Sequence, residues 1–114
     1  MIKAKDLRRL AEVAQLMLDH RLGRLRAAAA ELERSRMQLA SVNAAARSAE
    51  ELEPVTAERV AMAYDRWADV RRSELNLVIA RQTAHWLEAR GEAQTAFGRV
   101  QALQGLAERL KDKR

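Results

Sequence analysis

Apolar residues recur every seven positions along the first half of the chain. The recurring leucines and alanines are Ala11, Leu18, Leu25, Leu32, Leu39 and Ala46. Other apolar residues widen or extend this stripe: Leu7, Leu10, Ala14, Met17, Leu22, Ala28, Ala29 and Val42. A seven-residue period sustained this long is typical of a helix that packs against another helix in a supercoil. The pattern predicts one long helix from about Lys3 to about Ala49.

The segment around Pro54, the only proline in the chain, breaks this pattern. Proline lacks an amide hydrogen and biases the residue before it, Glu53, away from helical angles. Thr56 has a side chain suited to cap the amino end of a helix. We therefore predict a bend over residues 50–56 and a second helix from about Ala57 to about Leu110.

The second helix carries its own apolar seam, in alternating steps of three and four residues. Its later part runs through Leu75, Ile79, Gln82, Trp86, Ala89, Ala93, Ala96, Val100, Leu103, Ala107 and Leu110. Its earlier part uses Val60, Tyr64 and Trp67, and joining the two parts requires a stutter near Leu75. Two seams on either side of one bend predict two helices that pack on each other.

The positions of the two seams also predict how the helices pair. A short connection centred near Pro54 would pair residues whose numbers add to about 107. This pairing sets Leu32 against Leu75 and Leu18 against Ala89. The sequence therefore predicts an all-α fold, a single domain that forms an antiparallel two-helix coiled-coil hairpin with its chain ends together.

The composition supports this fold and excludes several classes of protein. Hydrophobic residues make up 48% of the chain, aromatic residues 4% and charged residues 32%, a mixture that favours long helices. Cysteine is absent, so disulfides and thiol chemistry are excluded. No signal-peptide pattern occurs, and no window approaches the roughly 20 apolar residues that span a bilayer. We expect a soluble, cytoplasmic protein.

Residues that could carry catalysis or bind a metal are sparse. His20 and His85 fall in different layers of the predicted hairpin, and no further ligands cluster around either one. The chain has no glycine-rich phosphate loop and no nucleophile elbow. We therefore expect no enzymatic activity, no cofactor and no metal, and a function that depends on contacts with other proteins.

Charge is distributed unevenly along the predicted hairpin. The net charge is +5, and the first 50 residues hold ten basic and six acidic side chains. The bend is acidic, with Glu50, Glu51, Glu53 and Glu58, whereas both chain ends are basic. This distribution fits an ordinary solvated surface, or an open end that docks on an acidic partner. Binding of nucleic acid is less favoured, because the positive and negative charges of residues 51–114 nearly cancel, with eleven basic and ten acidic side chains.

Two groups of residues are candidates for protein contacts. Gly91, Gly98 and Gly105 recur every seven residues on the predicted outer face, although each mid-helix glycine costs roughly 1 kcal/mol relative to alanine. These glycines are either neutral substitutions that a long helix tolerates, or they form a smooth face. On such a face a partner helix, or a second copy of the chain in a homodimer, could approach closely. Tyr64 and Trp67 either fill the thin core or anchor a partner.

Three features together resemble a known family. They are the heptads of the first helix, the segment Ala63-Tyr-Asp-Arg-Trp67 and the basic closing run from Phe97 to Arg114. The chain resembles the FliJ family of flagellar export proteins and, more distantly, the YscO-type stalk proteins of type III secretion. These are small two-helix coiled coils, similar in fold to the central stalk of rotary ATPases.

The resemblance implies a coiled-coil component of a protein export apparatus that binds a hexameric export ATPase and the export gate. It implies that the ATPase end is formed by Arg8, Arg9, Arg109, Lys111 and Arg114. The candidates for contact with a second partner, at the tip or on a face, are Tyr64, Trp67, Gly91, Phe97, Gly98 and Gly105. A generic helical-hairpin adaptor or secretion chaperone remains the alternative, and a nucleic-acid-binding helical arm is the third reading.

Overall fold

Two long helices form the part of the chain that the structure describes. The computed structural model describes residues 3–51 and 54–112, with side chains for 3–49, 51 and 58–112. Helix α1 spans Ala4–Glu50 and helix α2 spans Pro54–Asp112. The prediction of an all-α antiparallel two-helix hairpin is confirmed. Glu53 lies outside the described residues, as do the side chains of Glu50 and Thr56.

Helix α2 begins at Pro54, three residues before the predicted start at Ala57. Proline is favoured at the first helical position, because its missing amide hydrogen is not needed there and its backbone angle suits the helix. Thr56 therefore lies within the first turn of α2, and its predicted role as the N-cap is wrong. The break in the pattern marks the start of α2 and not the middle of a longer bend.

Contacts divide the chain into two compact units, each of which contains part of both helices. Unit 1 comprises Met1–Ala28 and His85–Arg114, and unit 2 comprises Ala29–Ala84. One core cluster of unit 1 contains Ala14, Leu18, Ala96 and Val100, with Leu22 and Leu103 packed against it. One core cluster of unit 2 contains Val42, Ala68 and Leu75, with Leu39 and Ala46 packed against it.

The pairing of the helices differs from the predicted pairing by about one heptad. In unit 1, Arg21 and Arg24 both contact Glu92, and the residue numbers of these pairs add to 113 and 116. In unit 2, Arg72 contacts Asn43, a pair that adds to 115. The predicted sum of paired residue numbers was about 107, and this prediction is wrong. A slide of one helix by seven residues leaves both apolar ladders matched, so the heptad pattern alone does not distinguish the two pairings.

The core clusters show the same displacement. Leu18 packs with Ala96, which lies seven residues beyond its predicted partner Ala89. Leu75 packs with Leu39, which lies seven residues beyond its predicted partner Leu32. The heptad pattern thus predicts which residues face the other helix, whereas the choice among heptad-shifted pairings depends on the connection and on specific polar contacts.

Alanine dominates the seam between the helices. Of the thirteen hydrophobic residues that are buried in the described part of the chain, seven are alanines: Ala14, Ala28, Ala49, Ala68, Ala89, Ala93 and Ala96. Small side chains let helix axes approach closely, toward the short end of the usual 8–10 Å range. Among the described residues, no large side chain is fully buried. Each layer of the seam therefore buries little apolar area.

Polar side chains interrupt the seam in unit 2. Ser35 is buried, and the side-chain oxygen of Gln82 is buried without a hydrogen-bond partner among the described residues. Arg72 donates a hydrogen bond of 2.8 Å from Nε to the amide oxygen of Asn43. A buried, unpaired polar group costs about 1–3 kcal/mol. Unit 2 therefore contains an unfavourable group in its seam that a purely apolar hairpin would lack.

Engineered cysteine pairs test the pairing in unit 1, because the chain has no cysteine of its own. Disulfides form readily only where two Cα atoms lie within about 7 Å. We expect Ala14→Cys with Val100→Cys to form an intramolecular disulfide under mild oxidation, because these residues share one core cluster. The control pair, Ala14→Cys with Ala93→Cys, represents the heptad-shifted pairing. Faster cross-linking of the control pair, measured by thiol titration, would contradict the observed pairing.

Candidate interaction surfaces

A cavity of about 400 Å³ lies between the start of α1 and the end of α2 in unit 1. Its lining is mostly apolar and includes Ala4, Leu7, Ala11, Leu103, Ala107 and Leu110. Three polar side chains complete it: Arg8, Gln104 and Lys111. Because Ala4 and Lys111 line the same cavity, the two helix ends meet here, as the hairpin predicts.

The structure brings together two of the five basic residues assigned to the ATPase end. Arg8 from α1 and Lys111 from α2 both line the cavity. Arg9 and Arg109 are exposed and do not line it, and Arg114 lies outside the described residues. Two cations from opposite ends of the sequence therefore flank one apolar opening.

Glu92 holds two arginines of α1 in unit 1. Its carboxylate lies 3.0 Å from Arg21 and 3.3 Å from Arg24. These groups are partly exposed, so each ion pair contributes at most about 1 kcal/mol. The pairs explain how the arginine at position 21, which interrupts the apolar pattern of α1, is accommodated beside α2.

Tyr64 and Trp67 form an exposed aromatic pair in unit 2. Their ring centroids are 5.9 Å apart with an interplanar angle of 83°, an edge-to-face arrangement. Tyr64 is 40% exposed and Trp67 is 47% exposed. Together with Ala63 they line a shallow concavity of about 330 Å³. The pair is therefore placed to receive an apolar group from a partner.

Trp67 was placed in the predicted seam of the second helix, and this placement is wrong because its side chain is 47% exposed. Its alternative role as a partner anchor stays a prediction. The neighbouring residue Ala68 is buried instead, with 0% exposure. One residue turns the helix by about 100°, which directs Trp67 outward. Ala68, Leu75 and Gln82 continue the seven-residue spacing, so the predicted stutter near Leu75 is not needed.

Trp86 is half-buried in unit 1 and contacts a cation of its own helix. The guanidinium of Arg90 lies 5.6 Å from the centroid of the Trp86 ring. Such cation–π contacts contribute roughly 0.5–1 kcal/mol at exposed sites. Trp86 was predicted as a position of the apolar seam, and its side chain is half-buried there. We therefore interpret Trp86 as a structural residue of unit 1 and not as an anchor for a partner.

The glycine line of α2 lies on an open face. Gly91 and Gly98 are exposed, and Gly105 is half-exposed. A Cβ atom built on any of the three would meet nothing within 4 Å. No contact among the described residues therefore requires glycine at these positions. Phe97, beside Gly98, is 51% exposed, and a role for this face in binding stays a prediction.

An apolar groove of about 340 Å³ runs along one side of unit 1, and sequence reasoning missed it. It lies between α1 and α2, with Leu10, Val13 and Met17 as one wall. The steps of three and four residues between these positions place them on one face of α1, and this spacing could have indicated an apolar face in the sequence. Leu10 and Met17 were interpreted as an extension of the seam and Val13 was not assigned, whereas all three side chains are 41–55% exposed.

Other kinds of site find no support in the described residues. In residues 3–51 and 54–112, no group of three or more His, Asp or Glu could hold a metal ion. Both histidines, His20 and His85, are exposed. Neither helix, as far as it is described, contains a stretch long and apolar enough to span a membrane.

Comparison with known proteins gives no family. No family model matches this chain, and no curated protein or solved structure matches it either. The surfaces described above are therefore the structural basis for a proposed function. Of these surfaces, the open end of unit 1 combines charge, an apolar opening and residues from both helices.

Proposed function

We propose that this chain is a coiled-coil component of a flagellar or type III protein export apparatus, and that its open end binds the export ATPase. The observation that carries the proposal is the convergence of Arg8 and Lys111 on one largely apolar cavity. The resemblance supplies the class of partner. The proposal assigns no catalytic activity and no cofactor, and it locates the protein in the cytoplasm.

The chemistry of the open end favours an acidic partner surface with an apolar projection. Arginine offers a planar fork of donors that can bind a carboxylate through two hydrogen bonds, whereas lysine acts as a compact positive charge. Leu7 and Leu110 between them can receive an apolar side chain. Arg9 and Arg109, which are exposed nearby in sequence, add long-range attraction.

The aromatic pair of unit 2 is the proposed contact for a second partner, the export gate. Tyrosine and tryptophan are enriched among the residues that dominate binding energy at interfaces. Tyr64 and Trp67 are half-exposed and already held edge-to-face, so little side-chain freedom would be lost on binding. The same exposed pair also suits a helical-hairpin adaptor or secretion chaperone, which is the alternative function.

Charge reversal at the open end tests the ATPase proposal. We expect Arg8→Glu with Lys111→Glu to weaken binding to the cognate export ATPase by at least about tenfold, equivalent to 1.4 kcal/mol. The matched control, Arg36→Glu with Arg81→Glu, reverses two exposed basic residues of unit 2 and should bind normally. Affinity is measured by interferometry, and stimulation of ATP hydrolysis is measured in parallel.

Two outcomes of this experiment would overturn the ATPase assignment. Equal affinity for the wild type and the Arg8/Lys111 variant would show that the open end is not the contact. A complete lack of ATPase binding by the wild type would favour the adaptor or chaperone alternative. Steep salt-dependent binding to nucleic acid would instead support the helical-arm reading.

A further inference from the structure

The groove of unit 1 is a second surface, separate from the cavity at the open end. Leu10 and Arg99 line the groove, whereas Arg8 and Gln104 line the cavity. Residues 8 and 10 differ by two positions, which places them about 200° apart around the helix. The groove and the cavity therefore flank opposite sides of the seam. They share Leu103, so only substitutions at the other lining residues alter one surface and leave the other intact.

The groove has apolar walls and a small-residue floor. Leu10, Val13 and Met17 of α1 form one wall, with exposures of 49%, 55% and 41%. Arg99 and Ala102 of α2 form the other wall. The floor is made by core residues, Ala14, Ala96 and Leu103. Large exposed apolar residues that adjoin each other in this way commonly mark a site of interaction.

The size of the groove matches a short length of helix. Residues 10 to 17 of α1 cover about 10 Å along the helix axis, or about two turns. Leu106 lies seven residues beyond Arg99 on the same face and is 45% exposed, which extends the apolar surface. At the other end, the next heptad positions after Met17 and before Arg99 are Arg24 and Glu92, which form an ion pair and do not line the groove.

The charges around the groove are mainly positive. Arg99 stands in its wall. Heptad spacing places Lys3 and Arg109 on the same side near the open end, and Asp6 is the acidic residue on that side. Glu92 is engaged by two arginines. A partner that covers the apolar walls therefore brings the residues beside its apolar contacts close to these positive side chains.

We propose that this groove binds an amphipathic helix of a partner protein that has apolar anchors at i, i+3 or i+4 and i+7 and acidic residues beside them. The apolar anchors fill the space between Val13, Met17 and Ala102, as in other helix-in-groove complexes. The acidic flanks pair with Arg99 and the neighbouring cations. This site goes beyond the proposed ATPase contact, because it uses neither Arg8 nor Lys111.

A second copy of the chain fits the groove less well. A two-fold contact would bring the groove of one copy against the groove of the other, because such interfaces use the same patch twice. Each Arg99 would then enter a surface that is already basic. Charge complementarity therefore favours an acidic helix, and self-association becomes an outcome that the experiment distinguishes.

The experiment uses a synthetic peptide as the probe. A peptide of about 18 residues, long enough to form an isolated helix, carries leucine anchors at helical spacing and glutamate flanks. A matched peptide replaces every glutamate with lysine. The protein is labelled with ¹³C at its methionine methyl groups. We expect the acidic peptide to shift the Met17 methyl signal, while Met37 and Met62, which are 61% and 62% exposed in unit 2, stay unchanged.

Substitutions identify the surface that binds the peptide. Val13→Asp should weaken binding of the acidic peptide at least tenfold, because it places a carboxylate in the apolar wall. Arg99→Glu should weaken the acidic peptide and strengthen the basic one. The control is Leu16→Asp, at a residue that is 68% exposed and does not line the groove, and it should bind normally. Circular dichroism checks that every variant keeps its helices.

Several results would overturn the proposal. These are an absence of peptide binding, equal binding of the acidic and basic peptides, or an unchanged Met17 signal. A dimer in light scattering that Val13→Asp dissociates would assign the groove to a second copy instead. Binding of the acidic peptide should survive in the Arg8/Lys111 variant, so failure of the ATPase proposal is distinguishable from failure of this one.

Discussion

Replacing Ala68 with aspartate is expected to lower the free energy of unfolding of unit 2 by about 4 kcal/mol, the upper end for single substitutions. Ala68 has 0% exposure and packs with Val42 and Leu75. A carboxylate there would be buried without a partner, and the side chain of aspartate is too short to reach water past the seam. Removing a charge from water without pairing it costs several kcal/mol.

Val70→Asp is the matched control for this substitution. Val70 lies two residues away on the same helix and is 61% exposed. The intrinsic helix propensities of the two substitutions differ by at most about 0.7 kcal/mol, because alanine is the better helix former and valine ranks with aspartate; this difference is small beside the expected loss at Ala68. We expect the control to stay near the wild type in thermal and urea unfolding followed by circular dichroism. Equal loss of stability in the two variants would show that Ala68 is not part of a packed seam.

Leu18→Ala is expected to destabilise unit 1 by about 2–3 kcal/mol. Leu18 is 6% exposed, and its cluster partners include Ala14, Ala96 and Val100. Two of these neighbours are alanines, which have no flexible atoms that could move into the space left by the leucine. The seam is thin and admits water at its edges, so the expected cost lies toward the lower end for buried leucine.

The chain supplies a close control for this substitution as well. Leu16→Ala removes the same atoms two residues away, where the side chain is 68% exposed. Surface substitutions of this kind usually change stability by less than about 0.5 kcal/mol. Urea unfolding of both variants, with amide exchange as a local probe of unit 1, measures the difference. A cost at Leu16 as large as at Leu18 would contradict the assignment of these faces.

Much of the fold could be predicted from the sequence because the heptad pattern is a local property. Leu18 and Leu32 were predicted to face the other helix, and both are buried. The pairing could not be predicted in the same way, since every slide by seven residues matches the ladders again. Contacts such as Arg24 with Glu92 distinguish one pairing from the next, and they depend on atoms far apart in sequence.

The candidate surfaces were predictable to a smaller extent. The basic residues at both chain ends indicated an open end, and the structure adds that Arg8 and Lys111 share one cavity. Leu10 and Met17 were assigned to the seam, because periodicity does not show on which side of a ladder the partner helix lies. Trp67 was misplaced for a related reason, since Ala68 next to it is a weak signal in sequence and a fully buried residue in the fold.

The alanine seam has a consequence for how binding and folding are linked. A seam that buries little apolar area per layer gives the hairpin a modest free energy of unfolding. A ligand that binds only the folded state therefore raises this free energy by an appreciable fraction. A partner present at one hundred times its dissociation constant adds about 2.7 kcal/mol. The melting temperature of this hairpin therefore responds to occupancy of its surfaces, whichever partner occupies them.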